Sequence, residues 1–143
     1  MTGTDGPGIV VSQHVPAPVD VVWRSWASAA GWARWWWPQW PDTVYEVDLR
    51  PGGGYLARSA VGRAGVEGEV VAADPPGTFE LTWRWDGEGV EDRVLVRLGT
   101  EGEGTLVTVR HRTSAPGPDS YRQGWEFVLG NLARVHSAAD ERL

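Results

Sequence analysis

"TFELTWRW", residues 78–85, decides the fold. Phe79, Leu81, Trp83 and Trp85 alternate with Glu80, Thr82 and Arg84, a period of two that suits a strand with one buried face. The same period continues outward on both sides. Towards the C-terminus, "RVLVRL" (93–98) turns Val94, Val96 and Leu98 inward, "GTEGEG" (99–104) is a hairpin turn, and "TLVTVRHR" (105–112) places Val107, Val109 and His111 on one face. Towards the N-terminus lie "VEGEVVAA" (66–73), closed by "DPPG", then "YLARSA" (55–60) and "VYEVDL" (44–49). "RPGGG" (50–54) turns the chain between the last two, with glycine supplying φ > 0. Consecutive strands joined by such turns predict an antiparallel meander.

Beyond Val44 towards the N-terminus the period changes to that of a helix. "IVVSQHV" (9–15) reads as a first strand, and residues 18–28 and 30–36 as two short helices broken at Gly31. At the other end, "DSYRQGWEFVLGNLARVHSAADERL" (119–143) carries Tyr121, Trp125, Val128, Leu129 and Leu132 on one stripe, a long amphipathic helix. Seven strands cannot bury their inner face on two short helices, so the last helix must lie across the sheet. The expected fold is α+β: a curved seven-stranded antiparallel sheet around a long C-terminal helix. The space between helix and sheet is the natural ligand site.

Bulk properties narrow the function classes. At 143 residues the chain reads as one domain, residues 9–143, after a leader at 1–8. There is no cysteine, which excludes disulfides and thiolate metal sites. Three scattered histidines, His14, His111 and His136, show no metal spacing. The net charge is −6 and the arginines form no run, which argues against nucleic acid. No apolar run has membrane-spanning length and no signal peptide opens the chain, so a cytoplasmic protein without membrane insertion is expected. No cofactor is implied.

Several stretches together resemble one known family. They are "PAPVDVVWRSWAS" (16–28), "WARWWWP" (32–38), "DLRPGGGY" (48–55), "GEVVAADPPGTFELTW" (68–83), "GTLVTVRHR" (104–112) and "GWEFVLGNL" (124–132). In this order and spacing the chain resembles the START-like, helix-grip superfamily and, within it, the homologues of the activator of the heat-shock protein ATPase. The resemblance implies the helix-grip fold. It also implies the functions found across that superfamily: capture of lipids, hormones or polyketides, cyclisation or dehydration of polyketides, and sequestration of enediyne antibiotics. No residue carries over action on a chaperone, and a homodimer remains open.

The candidate site follows from the aromatic residues. Ten tryptophans are present, four of them in "RWWWPQWP" (34–41). On a helix, Trp35, Trp36 and Trp37 would point ~100° apart, so they cannot share one core. Trp37 and Trp40 are therefore expected to line a pocket mouth or, alternatively, to form a docking patch. Trp83 and Trp85 project to the same side of their strand, and with Tyr45, Tyr55 and Phe79 they could form an aromatic inner wall. Trp125 and Leu129 complete the candidate set from the last helix. His111 is the candidate polar group inside the pocket, binding a ligand hydroxyl or moving a proton. The first reading is a binding protein for an apolar or aromatic small molecule, such as a polyketide-like natural product. The alternative is a cyclase, aromatase or dehydratase without metal or redox cofactor, with His111, Tyr45 and Tyr55 as candidate acid–base groups.

Overall fold

The computed structural model describes residues 8–113 and 119–141, with side chains described as far as Ser137. The chain runs β1 (Gly8–Val15), α1 (Val19–Trp26), α2 (Ala29–Ala33), β2 (Val44–Val47), β3 (Gly54–Ser59), β4 (Ala64–Asp74), β5 (Thr78–Trp85), β6 (Asp92–Glu101), β7 (Gly104–Arg112) and α3 (Asp119–Glu141). Residues 1–7 of the expected leader lie outside the described residues. Gly8, read as belonging to it, opens β1 and pairs with Arg112.

The seven strands form one curved sheet in the order β1-β7-β6-β5-β4-β3-β2, antiparallel throughout. Alternation decides which face is buried. Phe79, Leu81 and Trp83 of β5 point inward, as do Val94, Val96 and Leu98 of β6 and Val107, Val109 and His111 of β7. The opposite face of β3–β5 holds an arginine–carboxylate lattice in which Glu67 pairs with Arg58 and Arg84, and Arg58 with Asp86. Helix α3 packs chiefly along β1 and buries Trp125, Val128, Leu129 and Leu132. It thereby closes the open side of the curved sheet, as the strand count requires.

The break between the two short helices falls about one helical turn earlier than expected, at Ala27–Ser28 rather than Gly31. There the Ser28 hydroxyl caps α2 by accepting from the Gly31 amide at 3.0 Å. Gly31 sits inside α2, and its role is close approach. A Cβ there would lie 2.7 Å from the Ser25 carbonyl oxygen and 2.8 Å from that of Arg24. Two indoles satisfy carbonyls left free at the end of α1. Trp32 Nε1 donates to Trp26 O at 2.7 Å, and Trp35 Nε1 to Ser25 O at 2.9 Å.

The tryptophan run also departs from expectation. Helix α2 ends at Ala33, so residues 35–37 are not helical and need not splay ~100° apart. Trp35, Trp36 and Trp37 are all buried, at 0%, 2% and 6% exposure. Asn131 on α3 donates to the Trp35 carbonyl at 3.1 Å and fixes this turn against the helix. Trp40 is half-buried, its indole over Gly62, where a Cβ would come within 2.4 Å of the ring. The three consecutive indoles therefore serve the interior, and they offer no exposed docking patch.

Candidate functional site

A cavity of about 260 Å³ opens between β5, the tryptophan turn and the first half of α3. Trp83 and Trp85 form one wall, their rings 6.2 Å apart and only 15° from parallel. They are side by side because a strand repeats every two residues. Trp36 and Trp37 form a second wall. Trp37 stands at 87° to Trp85, and its amide donates to the Tyr45 hydroxyl at 3.0 Å. Helix α3 supplies Tyr121, Gly124, Trp125 and Val128, spaced i, i+3, i+4 and i+7 and hence on one helical face. Glu88, in the turn between β5 and β6, and Ser120 are exposed and mark the mouth.

Of the ten residues expected to bind ligand, the structure brings Trp37, Trp83, Trp85 and Trp125 to this cavity. The other six lie elsewhere. Trp40 packs on Trp37, centroids 5.4 Å apart, one ring removed from the space. Tyr45 supports Trp37 from behind. Tyr55 is buried, its hydroxyl donating to the Thr82 carbonyl at 2.6 Å, and burial pushes its phenol far above the usual range. Phe79 packs edge-on to Trp23 at 5.5 Å and against Trp26 at 5.2 Å, and does not line the cavity. Leu129 is fully buried one position past Val128, which does line the cavity.

His111 stands directly behind the wall. It is fully buried, with Nε2 2.8 Å from Asp92 Oδ2 and Nδ1 accepting from Trp125 Nε1 at 2.9 Å. An indole N–H can only donate, so Nδ1 must be the unprotonated nitrogen and Nε2 carries the hydrogen given to Asp92. Both nitrogens are thus engaged, and the ring is sandwiched against Tyr121 at 4.3 Å and Trp83 at 5.1 Å. Burial lowers its pKa, against the opposing pull of Asp92. His111 consequently acts on the cavity through the rings it holds.

Sequence reasoning missed Trp36, Glu88, Ser120, Tyr121, Gly124 and Val128. Helical spacing from Trp125 would have found Tyr121 four residues before it and Val128 three after it. Nothing in the turn sequence singles out Glu88. Tyr121 donates a hydrogen bond to the Glu88 carboxylate, and its phenol is pushed well up, first by burial and then by Glu88. Among the described residues, no three His, Asp or Glu side chains gather to hold a metal ion, and no helix is long and apolar enough to cross a membrane.

Residues 16–137 match the family model described as Activator of Hsp90 ATPase homolog 1-like protein. Among curated proteins, none matches the sequence. Solved structures with the same fold include DynU16, a protein of the dynemicin biosynthetic locus, at TM-score 0.75 and 25% identity over 89% of this chain. The chain spans about half of that protein, 46% of its length. CalU16 from Micromonospora echinospora superposes at TM-score 0.73 with 29% identity, covering 94% of this chain and 79% of the other. Protein CV1439 from Chromobacterium violaceum, at 21% identity and TM-score 0.75, covers 90% and 96% and shares the fold.

Proposed function

The chain belongs to the Activator of Hsp90 ATPase homolog 1-like family, and from that premise we propose that it binds a flat, largely apolar small molecule between sheet and terminal helix. The observation that carries this reading is the cavity walled by five tryptophans and Tyr121. Its volume sets the ligand's size. A cavity of about 150 Å³ takes up benzene, so 260 Å³ admits roughly two fused rings or one ring with substituents. Each indole contact would contribute about 0.5–1.5 kcal/mol beyond area burial. A larger natural product would place one ring system inside and the remainder past Glu88 and Ser120. The place of DynU16 in a biosynthetic locus supports a natural product as ligand.

Capture is favoured over catalysis by the lining chemistry. Of the candidate acid–base groups, His111 has both nitrogens engaged, Tyr55 is buried away from the cavity, and Tyr45 is held behind Trp37. Tryptophan fluorescence tests the proposal, with titration by fused bicyclic aromatics and by linear chains of equal apolar area. Saturable quenching by the bicyclic compounds, and weaker or no response to the chains, is expected. Emission unchanged by every compound would overturn it.

A further inference from the structure

The cavity has an electrostatic asymmetry that apolar capture alone does not require. Among the described residues, Glu88 is its only ionisable lining residue apart from the Tyr121 phenol, and no arginine lines it. Neighbouring acids in the same turn are matched: Asp86 pairs with Arg58 at 2.9 Å, and Glu91 lies 3.5 Å from Arg84. Glu88 pairs with no arginine among the described residues, and its side-chain partner is the Tyr121 hydroxyl. Behind the wall sits a second carboxylate. Asp92 is buried, gives one oxygen to His111, and leaves Oδ1 without a hydrogen-bond partner. After burial itself, these two carboxylates are what raise the Tyr121 phenol, so their negative potential reaches the cavity rim.

The rings add to that potential. An aromatic face carries negative charge density and its edge positive. Trp37 stands at 87° to Trp85, and Trp36 at 77° to Trp125. The lining rings thus lie in different planes, and five indoles bound the space. Tryptophan is the strongest of the aromatic residues in attracting a cation this way. A net charge of −6 favours approach of positive ligands as well.

From this geometry we infer that the cavity selects organic cations: planar aromatic molecules bearing a quaternary or protonated nitrogen, the charge directed to Glu88 and the rings held among the tryptophans. The inference rests on the proposed function and narrows its ligand class.

Calorimetric titration with two nearly isosteric bicyclic probes tests it: N-methylquinolinium, and quinoline at a pH where it is uncharged. The cation is expected to bind about tenfold more tightly. Glu88→Gln should lower N-methylquinolinium affinity by about threefold or more, the remaining preference being the share the rings supply. Glu88 is exposed, so the substitution leaves the core intact. Added salt should weaken binding of the cation far more than that of quinoline. Quinoline binding as tightly as the cation, or a preference that survives Glu88→Gln undiminished, would overturn the inference while leaving capture of aromatics standing. Failure of both probes to bind would overturn both.

Discussion

Trp125 on α3 donates its indole N–H to His111 Nδ1 on β7 at 2.9 Å, and this bond sets the protonation pattern behind the cavity. With Nδ1 accepting, Nε2–H is directed to Asp92 on β6. One helix and two strands are thereby joined through a neutral imidazole.

Stability should respond to acid through this histidine. Its folded pKa lies below the ordinary 6.5, with burial the main cause. The unfolded chain therefore takes up a proton, as pH falls through 6.5, that the folded chain refuses. Stability is full above that pH and declines below it, by at most about 1.4 kcal/mol per pH unit, until the folded pKa is reached. Glu67 and Asp86 are held low chiefly by Arg58, so they lose stabilisation in a separate window, below their ordinary values of 4.5 and 3.8. Urea midpoints between pH 7.5 and 5 should fall for the native chain. They should fall less steeply for His111→Phe, which is less stable overall but lacks the titrating ring. Equal slopes would mean that another group is responsible.

Filling the cavity from α3 should separate binding from folding. Gly124 lines the space, and a Cβ there meets nothing within 4 Å. Gly124→Leu should occupy the room used by a ligand and abolish fluorescence quenching by bicyclic aromatics. Relief of a helical glycine should raise stability by about 0.5–1 kcal/mol. Undiminished quenching in this variant would place the ligand elsewhere.

Two aromatic residues of the same strand should behave differently. Phe79→Ala removes a fully buried ring remote from the cavity and should cost about 3–5 kcal/mol of stability. Wherever that variant remains folded, ligand affinity should change little. Trp85→Ala removes a half-buried ring that lines the cavity, so it should cost less stability but weaken a bicyclic ligand by at least about threefold. Chemical denaturation and calorimetry on the pair check both halves.

Gly31→Ala would ordinarily improve a helix by up to about 1 kcal/mol. Here the new methyl would press on the Ser25 and Arg24 carbonyl oxygens and push α2 off α1. A net loss of roughly 1–3 kcal/mol is expected in urea denaturation. A neutral or stabilising result would show that the helix junction yields easily.

Where one period dominates, the sequence is a good guide. Residues 78–85 form a strand with the predicted ends and the predicted inward face, because alternation and burial agree there. Reading "RWWWPQWP" as a helix ending made three adjacent indoles incompatible with one core. The chain resolves this by leaving the helix at Ala33, a tertiary solution fixed by Asn131, which lies 96 residues away from Trp35. The cavity lining was legible where face and period sufficed, at Trp83, Trp85 and Trp125. His111 was correctly placed on the inner face, but its engagement by Asp92 and Trp125 depends on β6 and α3 and leaves no local trace. Glu88 reaches the mouth through a turn whose course has no periodicity to read.

The ten indole N–H groups make the central claim testable at single-residue level. In a ¹H–¹⁵N spectrum with assigned tryptophan side chains, titration with N-methylquinolinium or quinoline should shift the signals of Trp36, Trp37, Trp83, Trp85 and Trp125. Those of Trp23 and Trp26, whose rings pack on Phe79 and on no lining indole, should stay in place. Shifts confined to these two, or no shift at saturating concentrations of either probe, would contradict a ligand site between β5, the tryptophan turn and α3.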